Sequence, residues 1–454
     1  MLSAVPEIGT DPARADTWFR LFDLKPEVPL DRDRWHAPAL DHAVDVVERA
    51  LLRDDSATGR AVPSAGAIFP YEVLVLVPDT GGAALFRLDL LRRNRVRLPV
   101  AADVAGRVAT ELQAHAPDSG SHVLLLARPW LSMRKYGPRG YLYTLLDTGH
   151  AATALLGEGA RLRLGVPRDL LGSALATILP HRDVHAVISL GRPGRPTSEG
   201  RWSGLVQRRT GATQPDELEQ HCWSTIPEWL VAGTTQVRGI GAAPVVQLRC
   251  APRDGVVKAD EWAALTRSRQ SCKNFEPGGL SREAVYRTLL ALATPLPTDL
   301  PAGKAFRLTF MAAPGRVAQA CRAAVDVLDA DLAVSRQLSD RDTVVAACNG
   351  QQHLACAQLF VLCRIRRSAL PADNEPQGLR DALFRAAAAA HLVYLGAARS
   401  GMAVTAVGGF DADRWRELAG LSDDEEIVYV VALGFDGTAT RKHDRAELAH
   451  AHGE

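Results

Sequence analysis

Two short stretches of this chain, taken together, indicate its fold: Arg60-Ala-Val-Pro63-Ser64-Ala65-Gly66-Ala67-Ile-Phe-Pro70 and Arg269-Gln-Ser271-Cys-Lys273-Asn-Phe275. The first, the early loop, offers small residues and available backbone N–H groups just before an apolar strand, which suits close approach to a flat aromatic ring. The second, the late loop, places two cations and a hydroxyl at alternate positions, which suits a phosphate group. The two loops therefore predict the two parts of one binding site.

The bulk composition is that of an ordinary globular protein with little net charge. The 454 residues are 47% apolar and 23% charged, and the formal net charge of +1 gives no argument for nucleic acid or an anionic membrane as a partner. No apolar run is long enough for a transmembrane helix and the N-terminus lacks a signal-peptide pattern, so we expect a cytoplasmic location. The seven scattered cysteines include no C-x-x-C pair, so we expect reduced thiols and no metal site.

An internal duplication is visible at two points of the sequence. Two amphipathic helices, Leu40–Leu51 and Leu280–Leu290, and two apolar strands, Val187–Gly191 and Val431–Gly434, recur at spacings of about 240 residues. Each helix is expected to open at a capping Asp or Ser side chain. The repeat predicts two homologous α+β halves in one chain.

The boundaries of the halves follow from the repeat. We predict an N-terminal domain at 1–200, a connector or lid at 201–257, and a C-terminal domain at 258–454. The connector holds three tryptophans, and such residues usually anchor a segment onto a domain. We therefore expect the connector to be docked rather than loosely tethered.

The halves are predicted to differ in what they bind. Opposite the three polar residues of the late loop, the first half has Pro29, Asp31 and Asp33. At about 4 Å and an effective dielectric of 20, each unit-charge pair is worth about 4 kcal/mol before screening, so these aspartates would repel a phosphate. Opposite the early loop, the second half has Thr298-Asp299-Leu300-Pro301, where a proline removes a backbone donor and an aspartate adds charge. We predict one competent site and one inactive site per chain.

The segment Trp130-Leu-Ser-Met-Arg-Lys135-Tyr136-Gly-Pro-Arg139-Gly-Tyr141-Leu-Tyr143-Thr-Leu-Leu-Asp147-Thr-Gly-His150 carries the most specific resemblance. Its K-Y-G-x-R-G-Y-x-Y…D-x-G-H pattern, with P-S-A-G-A-I-F-P at 63–70, resembles SagB-type dehydrogenases. These nitroreductase-like flavoproteins oxidise thiazoline and oxazoline rings in ribosomally made peptides. The resemblance implies an α+β fold of tandem nitroreductase-like domains, each a mainly antiparallel sheet wrapped by helices. It also implies an intrachain pseudo-dimer that binds FMN, and with one inactive site we expect one FMN per chain.

The resemblance also implies roles for individual residues of this segment. Lys135 and Tyr136 would handle the proton that leaves the substrate ring, with burial or a neighbouring arginine lowering the pKa of one of them. From spacing alone, a solvated loop lysine beside a packed aromatic remains an alternative. Arg139, Tyr141 and Tyr143 are expected to contact the substrate, with both tyrosines on one face of an extended segment, unless they fill the core.

Asp147 and His150, three residues apart, admit an acid–base or metal interpretation. Because they are expected to open an apolar helix, an N-terminal cap and a packed histidine are the preferred interpretation. The resemblance implies that they support the site rather than supply the base.

The cofactor contacts implied by the resemblance fall on four segments. The late loop would hold the phosphate through Arg269, Ser271 and Lys273. The early loop would edge the flavin ring through Arg60, Pro63, Ser64, Ala65 and Gly66. The backbone of Gly408 and Gly409 would approach the flavin, although a tight turn that requires positive φ is an equally good interpretation. Arg441 and Lys442 would complete the phosphate site or form a solvated tail.

The expected partners are a precursor peptide and a separate cyclodehydratase that delivers it. No G-x-G-x-x-G fingerprint opens a strand–turn–helix unit, so we expect dioxygen or another diffusible electron acceptor rather than a built-in nicotinamide domain. Two alternatives remain open at this point. One is another flavin oxidoreductase of this fold, such as an NAD(P)H-dependent nitro- or quinone-reductase or another peptide dehydrogenase. The other is a flavin-free scaffold subunit of a peptide-modifying complex.

Overall fold

The computed structural model describes most of the chain between Val28 and Asp436, and its ranges are 28–29, 38–53, 60–79, 82–91, 93–114, 116, 118–166, 168–176, 178–192, 202, 204–207, 217–231, 238–246, 248, 256–301, 303–314, 316–328, 333–334, 340–372 and 375–436. Within these ranges no helix combines the length and apolar character needed to cross a membrane. Asp31, Asp33, Arg441 and Lys442, which the sequence analysis placed near a phosphate, lie outside the described residues.

The first half alternates strands and helices. Its strands are β1 (Val28–Pro29), β2 (Tyr71–Asp79), β3 (Gly82–Asp89), β4 (Asn94–Arg97), β5 (Ser119–Ala127), β6 (Arg161–Arg163) and β7 (Asp183–Gly191). Its helices are α1 (Pro38–Leu51), α2 (Ala102–Ala114), α3 (Pro129–Tyr136), α4 (Arg139–Leu156) and α5 (Arg168–Leu175). The central strands β2, β5 and β7 are almost wholly buried, because their apolar runs are covered by helices on both faces.

The connector is docked onto both halves in the parts that the structure describes. It contributes β8 (Gly204–Gln207), α6 (Glu217–Ser224), α7 (Glu228–Val231) and β9 (Gly241–Pro244). Strand β8 pairs with β4, and the indole nitrogen of Trp202 donates a hydrogen bond to Glu48 at 2.9 Å. Glu219 on α6 forms an ion pair with Arg182, which precedes β7.

The second half repeats the arrangement with a smaller sheet. Its strands are β10 (Phe275–Glu276), β11 (Pro295–Thr298), β12 (Phe306–Ala312), β13 (Ala333–Val334), β14 (Leu359–Arg366), β15 (Ala403–Val407) and β16 (Glu425–Asp436). Its helices are α8 (Ala259–Ser268), α9 (Arg282–Leu290), α10 (Arg316–Leu328), α11 (Arg341–Ala347), α12 (Glu375–Ser400) and α13 (Ala412–Ala419). The equivalence is clearest in the central antiparallel triplets, β2–β5–β7 and β12–β14–β16.

Two mainly antiparallel sheets result, and one strand of the second half joins the sheet of the first half. The described strands of the first sheet run in the order β1-β8-β4-β3-β2-β5-β7-β6-β11-β9, and those of the second run β10-β16-β14-β12-β13 with β15 also paired to β16. Strand β11 comes from the second half, yet it lies parallel to β6 of the first, with Thr298 opposite Leu162. The halves are therefore interlocked, with helices α4 and α12 packed together between them.

Close packing of α4 on α12 explains the glycine of the D-x-G-H pattern. A Cβ on Gly149 would lie 2.6 Å from the Cβ of Ala387, which is closer than two such carbons approach. Both helices are buried over most of their length, so they form the centre of the larger apolar core. A side chain at position 149 would force the halves apart.

The predicted helix starts are right in one half and wrong in the other. Ser281 caps α9 by accepting a hydrogen bond from the backbone N–H of Ala284 at 3.1 Å. Helix α1 starts earlier than predicted, at Pro38, so Asp41 lies in its first turn and forms an ion pair with Arg95 at 2.6 Å. The cysteines of the described ranges are free thiols.

Candidate functional site

A cavity of about 470 Å³ lies where the two halves meet, within the size range of small-molecule sites. From the first half it is lined by Pro63, Ser64, Ala65, Gly66 and Tyr136. From the second half it is lined by Ser271, Cys272, Lys273, Gln351, His353, Tyr394, Thr405, Ala406, Gly408, Gly409 and Tyr429. The structure thus brings the early loop, the late loop and the Gly408-Gly409 turn to one place.

The early loop is attached to helix α4 by hydrogen bonds. The hydroxyl of Ser64 donates to Asp147 Oδ2 at 2.6 Å, and the backbone N–H of Ala65 donates to the same oxygen at 3.0 Å. Ser64 Oγ also accepts a hydrogen bond from the backbone N–H of Phe69 at 2.8 Å. Both hydrogen bonds of the Ser64 hydroxyl are therefore made to groups of the protein itself. Gly66, two residues later, has a left-handed conformation with φ of 63°.

Lys135 and Tyr136 lie at the C-terminal end of α3 and reach over Gly66. The point at which a Cβ on residue 66 would lie is 2.5 Å from Lys135 Nζ and 2.6 Å from the Tyr136 hydroxyl oxygen. The Lys135 side chain is exposed, and the Tyr136 ring packs edge-on against Tyr143 with centroids 5.0 Å apart. The alternative is wrong in placing Lys135 in a loop, because residues 129–136 are helical, but its solvated lysine and packed aromatic agree with the structure.

The pKa of Tyr136 moves in the direction opposite to that of a general base. Burial raises the pKa of Tyr136 to about 12, and the nearby Asp147 and Tyr143 add to the shift. The expected lowering of a pKa within the pair is therefore wrong for Tyr136, which stays a hydrogen-bond donor at neutral pH. Arg139, which was expected to contact the substrate, does not line the cavity and donates to the carbonyl of Phe410 at 2.9 Å while stacking on its ring.

The late loop follows α8, and its three polar residues lie at different depths. Arg269 is buried, with Nε donating to the carbonyl of Ala61 at 2.6 Å and its guanidinium 5.2 Å from the ring centroid of Tyr394. Ser271 Oγ lies 3.1 Å from the Tyr394 hydroxyl and accepts from Arg269 Nη1 at 3.2 Å. Lys273 is exposed at the cavity. Ser271 and Lys273 reach the cavity, whereas Arg269 braces the late loop against the first half.

The positions of two arginines of the first half differ from what the sequence analysis expected. Arg60, expected at the ring edge, places its guanidinium 5.8 Å from the ring centroid of Phe69 and does not line the cavity. Arg53, which no motif singled out, follows α1 and donates from Nη2 to the carbonyl of Arg269 at 2.7 Å. Its Nε is buried without a hydrogen-bond partner among the described residues, in a small pocket shared with Arg269 and Ser271.

The Gly408-Gly409 turn follows β15 and forms part of the cavity wall. Neither glycine has a positive φ, so the interpretation of a turn that requires one is wrong. A Cβ on Gly408 would meet the Cβ of Ala65 at 3.7 Å, so the turn lies against the early loop. The carbonyl of Gly409 accepts a hydrogen bond from Gln351 Nε2, which fixes the turn from behind.

Several lining residues escaped the sequence analysis. Tyr394 lies in an apolar helix and Tyr429 in a buried strand, so both looked like core side chains. The Tyr394 hydroxyl accepts a hydrogen bond from the backbone N–H of Ala406 at 2.7 Å, next to its contact with Ser271. Gln351 and His353 lie at a single 3-10 turn that has no spacing signal. The pairing of β15 and β16 brings Tyr429 close to Ala406.

The expected substrate contacts of two tyrosines need correction. Residues 139–156 form helix α4, so Tyr141 and Tyr143 point to different sides rather than to one face of an extended segment. The Tyr141 hydroxyl donates to buried Asp183 at 2.8 Å and accepts from Arg380 at 3.1 Å, so its place is in an interior ion-pair cluster. Tyr143 is buried behind Tyr136, and neither tyrosine lines the cavity.

Asp147 and His150 lie in the middle of α4, not at its start. The predicted N-terminal cap is therefore wrong, because the helix already begins at Arg139. Asp147 instead holds the early loop by accepting hydrogen bonds from Ser64 and Ala65. His150 is packed, as the sequence analysis preferred, with Nε2 3.0 Å from the hydroxyl of Tyr429.

The second half's counterpart of the early loop contains Asp299, whose carboxylate occupies backbone amides of the first half. The pairing of β6 with β7 and of β15 with β16 makes residues 164–165 the counterpart of the Gly408-Gly409 turn. The carboxylate of Asp299 accepts hydrogen bonds from the backbone N–H groups of Leu164 and Gly165, both at 2.8 Å. Asp299 is 2% exposed, so these amides are occupied by the protein itself.

Comparison with known proteins agrees with this geometry. Residues 266–435 match the sequence model of the Nitroreductase family. The fold is a nitroreductase fold. A solved structure from Anabaena variabilis, described as a nitroreductase, superposes with a TM-score of 0.58 at 16% identity and covers 93% of this chain and 91% of its own. The predicted α+β nitroreductase fold is confirmed.

Shorter solved nitroreductases match only part of the chain. Nitroreductase family proteins from Clostridium novyi and Clostridium difficile are 14% and 16% identical, and each covers 40% of this chain. The match includes 88% and 86% of their own lengths, at a TM-score of 0.26 in both cases. No curated protein matches the sequence.

Proposed function

We propose that this protein is an FMN-dependent dehydrogenase that oxidises thiazoline or oxazoline rings of a ribosomally made peptide to thiazoles or oxazoles. One observation carries the proposal: Lys135 Nζ and the Tyr136 hydroxyl converge over Gly66, at the wall of a cavity in a nitroreductase fold. The sequence patterns at 130–150 and 63–70, which resemble SagB-type dehydrogenases, support the same substrate class.

The cavity fits FMN in size and in the chemistry of its wall. Ala65 and Gly66 leave a surface without long side chains, which a flat ring can approach. Ser271 and Lys273 supply a hydroxyl and a cation, and the described residues that line the cavity include no Asp or Glu. Arg53 Nε is a buried donor with no acceptor among the residues that the structure describes, and Arg53 lines the same small pocket as Ser271. This donor set suits a phosphate.

The proposed chemistry divides two hydrogens between cofactor and protein. Conversion of an azoline to an azole removes a hydride from one ring carbon and a proton from the neighbouring carbon. FMN, when bound, supplies the hydride acceptor. We assign the proton to the amine of Lys135, while Tyr136, held protonated by its raised pKa, donates a hydrogen bond that orients the ring.

One FMN per chain is part of the proposal. The carboxylate of Asp299 occupies the two backbone amides that correspond to the Gly408-Gly409 turn. In the sequence, Asp31 and Asp33 replace the polar residues of the late loop and would repel a phosphate. The peptide would reach the single site from a separate cyclodehydratase, in the cytoplasm.

The test is oxidation of a peptide that carries one thiazoline. Incubation with the FMN-loaded protein should remove two hydrogens from the peptide, measured by mass spectrometry. Lys135→Ala should lower the rate by about a hundredfold or more, as loss of a general base does. Lys304→Ala, at an exposed lysine of the second half, is the matched control and should leave the rate unchanged.

Two results would contradict the proposal and favour the alternatives. Rapid reduction of the flavin by NAD(P)H, with the azoline peptide unchanged, would indicate a nitro- or quinone-reductase. Purified protein that is colourless and cannot be reconstituted with FMN would indicate a scaffold subunit. A wild-type rate for Lys135→Ala would remove Lys135 from its role even if the peptide is oxidised.

A further inference from the structure

The early loop is held in a conformation that its residues do not favour by themselves. Gly66 has φ of 63°, and two non-glycine residues beside it, Ala67 and Phe69, have φ of 58° and 51°. Left-handed backbone at alanine and phenylalanine is uncommon, because the Cβ approaches the neighbouring peptide. Such conformations persist only where the surroundings impose them.

The surroundings that impose this turn consist of one carboxylate and one hydroxyl. Asp147 is 1% exposed and accepts hydrogen bonds from Ser64 Oγ at 2.6 Å and from the backbone N–H of Ala65 at 3.0 Å. Ser64 Oγ then accepts from the backbone N–H of Phe69 at 2.8 Å. The two side chains therefore fix both ends of the left-handed stretch.

Asp147 belongs to the same packed unit as the proposed proton-handling pair. It lies on α4, and Lys135 and Tyr136 lie on α3. Any Cβ on Gly140 would clash with the backbone of Met133, so the start of α4 is packed directly against α3. A carboxylate on α4 thus holds the early loop at a fixed distance from the end of α3.

We propose that Asp147 is a positioning residue, which holds the left-handed early loop under Lys135 and Tyr136 and so sets where the substrate ring meets them. Its effect on the rate rests on the proposed azoline oxidation, but its effect on the loop does not. A shift of about 1 Å in a reacting group lowers rates by up to roughly a hundredfold. The hydrogen bonds from Asp147 to the early loop, called the brace below, therefore affect the rate although Asp147 does not touch the substrate.

Hydrogen exchange of the early loop tests the brace independently of activity. In the FMN-loaded full chain, Asp147→Ala should speed exchange at residues 61–70 by about tenfold, because the Ala65 N–H loses its acceptor and the loop relaxes. Ser64→Ala should do the same. Thr148→Val is the matched control, since Thr148 is buried on the same helix and, among the described residues, its hydroxyl bonds only to the carbonyl of Thr144. Wild-type exchange in Asp147→Ala would overturn the proposal.

Kinetics with the azoline peptide distinguish positioning from space filling. Asp147→Asn keeps the shape and one acceptor oxygen, so kcat should fall about tenfold, against about a hundredfold for Asp147→Ala, with KM little changed. A wild-type kcat in both Asp147→Asn and Asp147→Ala would mean that Asp147 does not position the site. If the wild-type protein does not oxidise the peptide but exchange still rises in Asp147→Ala, the proposed function fails and the brace stands.

Discussion

The imidazole rings of His150 and His391 face each other with their Nδ1 atoms 3.5 Å apart, on the two long helices that pack between the halves. Both residues are fully buried, and the ring of Trp262 stacks on His391. Burial lowers the pKa of His391 to about 3 and that of His150 well below its ordinary value, so both rings are neutral in the folded protein. The interface between the repeats therefore depends on two histidines that remain uncharged.

This pair predicts a loss of stability in acid. The pKa of His391 is about 3 in the folded state against 6.5 as the ordinary value, so as pH falls below about 6.5 the unfolded chain takes up a proton that the folded chain does not. The free energy of unfolding should fall by about 1.4 kcal/mol per pH unit for this residue, or about 2 kcal/mol between pH 7 and 5.

Urea unfolding of wild type and His391→Gln at several pH values measures this term. The variant cannot take up the proton, so its stability should fall less steeply by about the slope given above. At pH 7.5 the difference in free energy of unfolding between the two proteins gives only the packing cost of the substitution. Equal slopes for both proteins below pH 6 would contradict a buried neutral imidazole.

Gly66→Ala should impair the site through contact as well as strain. The new Cβ would meet Lys135 Nζ and the Tyr136 hydroxyl, so kcat for the azoline peptide should fall by about tenfold or more. Gly159→Ala is a matched control, because Gly159 also has a positive φ, of 75°, but no described residue other than its chain neighbours lies within 4 Å of its Cβ position. Both variants should lose about 1 kcal/mol of stability from backbone strain. Equal kcat in the two variants would mean that the contacts over Gly66 do not matter.

Lys273→Glu should release the cofactor. It replaces an exposed cation of the cavity by an anion, and the affinity for FMN, measured by quenching of its fluorescence, should fall by roughly a hundredfold or more. Lys304→Glu makes the same charge change on an exposed side chain that does not line the cavity. A similar loss in both variants would point to net charge rather than to the late loop.

Asp299→Ala should lower stability without creating a second flavin site. The substitution leaves the backbone N–H groups of Leu164 and Gly165 without their acceptor, which costs about 2–4 kcal/mol in the free energy of unfolding. Asp299→Asn, which keeps one acceptor oxygen, should lose about half as much. The flavin content, measured by absorbance after denaturation, should stay at one per chain. Two flavins per wild-type chain would refute the assignment of an inactive site.

The sequence predicted which segments meet because the internal repeat supplied the topology. Once Leu40–Leu51 and Leu280–Leu290 are treated as equivalent helices, the early and late loops must lie on opposite halves of a two-fold arrangement. The structure brings Gly66 and Lys273 to one cavity, although they are about 200 residues apart. Long-range convergence of this kind follows from symmetry rather than from local pattern.

The direction in which a side chain points from a helix could not be predicted from the sequence. The run from Lys135 to Asp147 is rich in tyrosine and glycine, which favoured an extended segment, yet packing on α12 makes residues 139–156 helical. Tyr141 therefore faces Asp183 instead of the cavity. Tyr394 and Tyr429 could not be found because a buried helix and a buried strand give no sign of which side chain lines a cavity.

The strand that crosses between sheets has a consequence for the gene as well as for the protein. Strand β11 lies on β6 of the other half, and β9 of the connector closes the edge beyond it. A cut between the repeats would give one product with a bare sheet edge, prone to aggregate, and another with a strand that has no sheet to join. The two halves therefore cannot be separated without exposing this sheet edge, and a rearranged gene would have to move the termini while keeping the chain in one piece.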